Sequence, residues 1–549
     1  MSLHPDPLGP VPEETARVAR AAFPKGTLYL LLRDELGPID DDPTFADLFS
    51  VRGQPAEAPW RLALVTVVQF AENLPDRQAA EAVRGRIDLK YLLGLDLTDP
   101  GFDASVLCEF RARLVSEGAE QRLLDRLLTL CRERGLLKAR GRHRTDSTHV
   151  LAAIRTLNRL ECVGETLRHA LNSLAVVAPA WLQALAPPAW YERYGRQVDN
   201  YRLPKPDVER EALAEVIGAD GLTLLRAVGA PTAPPWLRQV PAVDTLRRVW
   251  RQQYHAPDEA DRVRWRMAGD LPPGALLIIS PYDPEARCGG TRDLTWIGYK
   301  AHLTETCDDD QPHLITHVET TPASTTDVEM TAPIHAALAK HDLLPQTHLV
   351  DAGYLSGELL VRSQADHGVD VIGPMPVDNS WQARADRGFA FADFAIDWEA
   401  EQVTCPAGQT SAVWTPAHDR HGNDVIHVAF RRADCAACPG RPRCTRATAS
   451  GRELTLRPRA EHLAIQEARQ RQATPAFKRA YARRAGVEGT ISQAVHRADL
   501  RRSRYVGLAK THLQHLATAA ALNLVRLGAW LAGVPLVTTR RSAFAALAP

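Results

Sequence analysis

The chain is 549 residues long, with 66 Lys and Arg balanced by 66 Asp and Glu, 45% hydrophobic and 24% charged residues. This composition excludes a disordered or fibrous chain and predicts a globular protein of about three or four domains, at roughly 150 residues each. A formal net charge of zero gives no overall attraction to nucleic acid, so any basic footprint must be local.

After a Pro-rich leader over 1–26, the segments LYLLLRDEL, WRLALVTVVQFAENL, RQAAEAVRGRIDLKYLLGL and SVLCEFRARLVSEGAEQRLLDRLLTLCRERG carry apolar residues at helical spacing. They predict a separate helical domain over 27–136. At HRTDSTHVLAAI, 143–154, polar and β-branched residues alternate around Asp146, the pattern of a half-buried strand. Residues 156–290 are predicted largely helical, broken by VAPAWLQALAPPAW and GAPTAPPW, and form an insertion.

From Thr295, TWIGYKAHLTET and HLITHVETT predict strands, and Thr326 with Glu329 in capping-box positions opens a helix from about Val328 to Lys340. THLVDAGYLSGELLVRSQADHGVDVIGPM then reads as strand, turn, helix, strand, which implies an α/β core with partly parallel pairing. Residues 376–455 are loop-rich and hold four cysteines, and 459–532 are helical again. The core is therefore assembled from 137–155, 291–375 and 456–535. The apolar stretch from His515 to Val537 contains Asn523, Arg526 and Pro535, which fits a packed C-terminal helix rather than a membrane span. With no apolar signal core at the start and too few cysteines for a disulfide framework, the expected location is the cytoplasm.

Charge is unevenly spread. From Gly451 to His512 there are 14 Lys and Arg against 5 Asp and Glu, the best phosphate-facing segment of the chain. Three acids stand in informative places. Asp146 lies mid-strand, where a carboxylate is unfavourable unless it faces a polar cleft, a cation or water. Asp351 ends an apolar strand ahead of a Gly turn and a helix that Ser356 can cap, where open α/β sheets bind ligands, although such an Asp also satisfies turn amides. Glu488 shares a stripe of three- and four-residue steps with Phe477, Tyr481, Arg484, Ile491 and Val495, so Tyr, Arg and Glu would face one cleft, or Arg484 and Glu488 would simply pair along a wet helix surface. Three carboxylates from two strands and a helix would suit two Mg²⁺ ions, which keep several waters and need few protein ligands, for metal-assisted phosphoryl transfer.

D-S-T at 146–148, G-Y-K-A-H at 298–302, V-D-A-G-Y at 350–354 and Y-x-x-R-x-x-x-E from Tyr481 to Glu488 resemble the DDE transposases of bacterial insertion sequences. The nearest branch is the eleven-eighty-two group, related to the insertion-sequence four and five families. The resemblance spans nearly the whole chain and implies a ribonuclease H-like catalytic core behind a helical N-terminal DNA-binding region. It implies that Asp146, Asp351 and Glu488 hold two Mg²⁺ or Mn²⁺ ions, with Tyr481 and Arg484 supporting the acid and the transposon-end DNA. Where the signature continues to a Lys seven residues after the Glu, this chain has Val495, and Arg497, Arg501, Arg502 and Lys510 are the nearby cations that could replace it.

Lys300 and His302 lie two apart in a strand and point to one face, either toward DNA near the metals or toward solvent. Asp327 is expected as a helix-start residue beside Thr326. Cys405, Cys435, Cys438 and Cys444 have spacing suited to a structural Zn²⁺, with free thiols or a redox pair as the other readings. The implied partners are double-stranded DNA, as terminal inverted repeats and as target, and a second copy of the chain when DNA is bound, with no membrane. The alternatives are a ribonuclease H-like nuclease that never joins DNA, and a domesticated DNA-binding protein.

Overall fold

The structure, a computed structural model, describes residues 2–3, 9–39, 42–258, 262–385, 388–535 and 547. Parts of the leader, and residues 536 and 537 of the apolar C-terminal stretch, lie outside the described residues. Seven helices come first: α1 (Glu13–Ala22), α2 (Leu28–Leu36), α3 (Pro59–Glu72), α4 (Asp76–Gly85), α5 (Ile87–Leu93), α6 (Ala104–Ser116) and α7 (Arg122–Glu133). α3 is apolar on nearly every side and buried from Pro59 to Ala71 except at Arg61, which disqualifies it from lying in a DNA groove.

The central sheet is mixed. β1 (Arg142–Leu151) pairs antiparallel with β3 (Thr295–Thr306), and β3 carries β2 (Arg287–Gly290) and β4 (Ile315–Pro322) antiparallel along its other edge. On the opposite side β1 pairs parallel with β5 (Thr347–Leu349), which pairs parallel with β6 (Asp370–Ile372). Two crossover helices serve these parallel strands: α13 (Thr331–Lys340) leads into β5, and α14 (Gly357–His367), capped by Ser356, leads into β6. The capping box of Thr326 and Glu329 is present, but it opens a 3₁₀ turn at Asp327–Met330 before α13 begins.

Between β1 and β2, five helices build a lobe with its own apolar core: α8 (Arg159–Val177), α9 (Pro179–Leu185), α10 (Pro188–Tyr194), α11 (Asp207–Gly229) and α12 (Pro241–Gln253). Between β6 and the C-terminal helices, residues 376–455 form a second lobe. It holds a ribbon of β7 (Ala395–Asp397) and β8 (Gln402–Thr404), a three-stranded sheet of β9 (Val413–His418), β10 (Asp424–Ala429) and β11 (Glu453–Leu456), and the short helices α15 (Trp381–Arg384), α16 (Arg432–Ala436) and α17 (Arg441–Cys444).

The chain ends in α18 (Arg459–Gln472), α19 (Pro475–Tyr481), α20 (Gly486–Ala498) and α21 (Leu508–Leu531). α21 is the hub. Its polar residues are used internally: the buried Asn523 side chain accepts from Ile315 N and donates to Ile315 O, both at 2.8 Å, which pins the helix to β4. Arg526 donates to Glu305 at 2.7 Å and to the His313 carbonyl at 2.8 Å. Around this helix the N-terminal helices and the sheet bury one continuous apolar cluster, so α2 to α7 share a core with the sheet rather than enclosing one of their own. Among the described residues no helix is long and apolar enough to cross a membrane.

Candidate active site

The pleat of β1 turns Arg144, Asp146 and Thr148 to one face. That face is met by the segment from α19 to the start of α21. Arg144 donates to Glu305 at 2.7 Å and to the carbonyl of Arg483 at 2.6 Å. Asp146 Oδ2 lies 2.7 Å from Arg484 Nη2, and Thr148 accepts from Arg501 at 3.0 Å. Gly486 opens α20 where a Cβ would overlap the Arg144 guanidinium, so glycine allows the helix to close on the strand.

The path from Phe477 to Val495 is not one helix. α19 ends at Tyr481, a 3₁₀ turn covers Ala482–Ala485, and α20 follows without the backbone leaving the helical region. The predicted stripe survives this tightening: Phe477 and Tyr481 stack with ring centroids 5.5 Å apart, and Arg484 Nη1 reaches Glu488 Oε1 at 2.8 Å. Arg484 thus holds Asp146 with one nitrogen and Glu488 with the other, its own side chain only 13% exposed. Glu488, 62% exposed, projects into solvent at the cleft mouth.

Asp351 follows β5 and accepts the Gly353 backbone N–H at 2.8 Å, the turn-amide role open to it from sequence. Its charge also bears on Asp146, Arg484 and Tyr481. Burial pushes the Asp146 carboxyl up to about 6, with Asp351 and Glu488 adding to the rise and Arg484 and the Ser147 amide opposing it. Asp351 and Glu488 thus add negative charge around Asp146, which a nearby cation offsets. Among the described residues, however, no three His, Cys, Asp or Glu side chains already stand at metal-ligand spacing. Arg484 is the cation between Asp146 and Glu488.

On the other face of β1, Ser147 donates to Asp327 at 3.2 Å, and Lys300 donates to Asp327 at 3.1 Å and to the Thr325 carbonyl at 2.8 Å. Asp327 therefore starts its 3₁₀ turn as expected and also binds Ser147 and Lys300 on the face of β1 opposite Asp146. Gly353 marks the spot: a Cβ there would lie 3.1 Å from Asp351 Oδ1 and 3.4 Å from Asp327 Oδ2. The capping-box pattern masked this second role, and the only sequence signal for it was the facing Lys300.

Lys300 and His302 do share a face, but their surroundings differ. His302 is 1% exposed, with Nδ1 2.7 Å from the Tyr354 hydroxyl and Nε2 3.2 Å from Thr321 Oγ1. His302 faces neither DNA nor solvent, the two readings open to it from sequence: β4 and Tyr354 cover the ring, and burial lowers its pKa to about 4, leaving it neutral. Of the other cations, Arg501 reaches the Asp146 face of β1, whereas exposed Arg497 points to the Ala71 carbonyl at 3.4 Å. Arg502 pairs by its backbone with Leu151, and Lys510 is exposed near the start of α21. Val495 packs against the main apolar core.

Residues 404–528 match the model of a family described as a transposase DDE domain, and residues 19–113 match one described as a transposase domain (DUF772). The first match takes in Tyr481, Arg484, Glu488 and the four clustered cysteines; the second takes in α2 to α5. No curated protein matches the chain.

Proposed function

We propose, for a chain whose two domain matches make it a DDE transposase of insertion-sequence type, that it binds the terminal inverted repeats of its own element, cuts them with Mg²⁺, and joins the freed 3′ hydroxyl to target DNA. As a transposase it acts on DNA by cleavage and strand transfer; the triad, the metal and the ends recognised are our reading. The observation that carries it is the single cleft in which Asp146 from a central strand, Asp351 from a strand end and Glu488 from a helix act on one guanidinium.

The strand order of the central sheet supports this reading and the ribonuclease H-like core it implies. The order β4, β3, β1, β5, β6, antiparallel on one side of β1 and parallel on the other, puts one acid on the middle strand and the next at the end of its parallel neighbour. An all-carboxylate donor set suits a hard cation such as Mg²⁺ or Mn²⁺. When bound, two such ions would activate the attacking oxygen and stabilise the leaving 3′ oxygen.

The chain's own groups divide the remaining work. Asp146, Asp351 and Glu488 would hold the ions once Arg484 releases its two carboxylates. Arg484, freed, would turn to the scissile phosphate, with Tyr481 fixing the backbone from its stack on Phe477. Arg501, beside Thr148 on the same strand face, is the cation best placed to bind phosphate in place of a Lys at position 495, while Arg497, Arg502 and Lys510 would extend the basic track. Lys300, held by Asp327, would orient that acid beside Asp351. The N-terminal helices and the 451–512 segment would grip the ends, and a dimer in the cytoplasm would bring two ends together. The four-cysteine lobe takes no part in the chemistry.

The test is a strand-transfer assay with labelled end DNA, Mg²⁺ and a target duplex. Joined product supports the reading. Cleavage without joining would make the protein a nuclease, and end binding without cleavage a DNA-binding derivative.

A further inference from the structure

Cys405, Cys435, Cys438 and Cys444 converge on one cavity of about 30 Å³ in the 376–455 lobe, which Phe389 and Phe430 also line. They arrive from two directions. Cys405 follows β8 in a tight turn, in which its N–H donates to the Gln409 carbonyl at 2.8 Å and its own carbonyl accepts from Gly408 N at 2.8 Å. Gly408 sits at φ +79°, a left-handed conformation that glycine adopts freely. Cys435 and Cys438 straddle the end of α16, and Cys444 ends α17. The Gly440 between them is needed for close approach: a Cβ there would lie 2.7 Å from the Phe389 ring and 3.6 Å from Cys438 Sγ.

We propose that this cavity binds one structural Zn²⁺ through the four cysteine sulfurs, a site independent of the triad and its reaction. Three further observations support it. The backbone N–H of Arg452 donates to Cys435 Sγ at 3.4 Å, the type of contact that stabilises a thiolate ligand. Arg441 and Arg452 line the same cavity and would offset the two negative charges that four thiolates leave on a bound Zn²⁺. Among the described residues the apolar cluster at the centre of the lobe is small, Phe394, Val403, Val428, Phe430, Leu454 and Leu456 under two small sheets, and a metal would staple it.

All four thiols are free, and they do not yet stand at metal-ligand spacing. Zinc binding would draw the sulfurs together and release their thiol protons. The tightened site would secure the lobe against α18, where Arg459 already pairs with Glu399 at 2.7 Å and His462 lies 5.3 Å from the Trp398 ring.

The experiment uses the full chain, purified in reductant, with metal content by mass spectrometry and Co²⁺ substitution after mild stripping. The expected result is about one zinc per chain, a Co²⁺ spectrum with thiolate charge-transfer and tetrahedral d–d bands, and about one metal lost in Cys435→Ser and Cys444→Ser. If either variant fails to fold, the Co²⁺ spectrum of the stripped wild-type chain decides alone. Metal-free protein whose titration with Co²⁺ yields no thiolate band would overturn the proposal, whether the cysteines prove free or paired as disulfides.

Discussion

Arg484 bridges Asp146 and Glu488, its Nη2 2.7 Å from Asp146 Oδ2 and its Nη1 2.8 Å from Glu488 Oε1. One guanidinium therefore holds together two acids that lie far apart in sequence, where the proposed function puts a divalent cation.

Arg484→Met removes that counter-charge, so the Asp146 carboxyl, already raised by burial, rises further and takes up a proton more readily. The variant should melt below the wild type without metal, and saturating Mg²⁺ should raise its melting temperature more than that of the wild type, because the cation replaces the missing charge. End cleavage should fall roughly 10–100-fold. Equal metal-induced shifts in both proteins would mean that Arg484 does not occupy the metal's place.

The pH dependence follows from Asp146. Its folded carboxyl is raised by burial to about 6, so its contribution to stability is present below the unfolded value and lost as pH rises through about 6. Metal needs the ionised form. The rise in melting temperature on adding Mg²⁺ should therefore be large above pH 7, shrink through pH 6 and nearly vanish at pH 5, and Asp146→Asn should flatten the curve. A rise independent of pH would contradict the assignment.

Two glycines of α20 should respond in opposite directions. At Gly486 a methyl group overlaps the Arg144 guanidinium, which would have to release Glu305 or the Arg483 carbonyl. At Gly489 a Cβ meets nothing within 4 Å. Thermal melts should show Gly486→Ala destabilised and Gly489→Ala stabilised by about 1 kcal/mol, the helix propensity difference.

Asp327→Asn weakens the hold on Lys300 and Ser147 without touching the triad directly. Cleavage should drop roughly tenfold or more and the Mg²⁺ concentration for half-maximal rate should rise, with end binding unchanged. An unaltered Mg²⁺ requirement would confine Asp327 to capping its turn.

Much of this was legible in the sequence because local chemistry dictates it. The alternation around Asp146, the Gly turn after Asp351 and the Thr326–Glu329 capping box each depend on neighbours within a few residues, and all three formed. What was not legible depended on distant partners. Helical spacing shows that α3 has apolar faces but not that α21 covers them, so the shared core of the N-terminal helices and the sheet could not be seen. β2 is four residues with two glycines inside a region read as helical; only its pairing with β3 makes it a strand. His302 carried the right spacing for a cleft residue, yet the neighbours that bury it, Tyr354 and Thr321, come from other elements. The tightened turn at Ala482–Ala485 follows from Arg144 bonding the Arg483 carbonyl across 339 positions of sequence.

The most direct measurement is Mn²⁺ titration of the protein on its end DNA, followed by calorimetry or electron paramagnetic resonance, beside cleavage of the same DNA. The account predicts two Mn²⁺ per wild-type site, loss of metal and of cutting in Asp146→Asn, Asp351→Ala and Glu488→Gln, and end binding close to wild type in all three. Undiminished Mn²⁺ binding in these variants would contradict it.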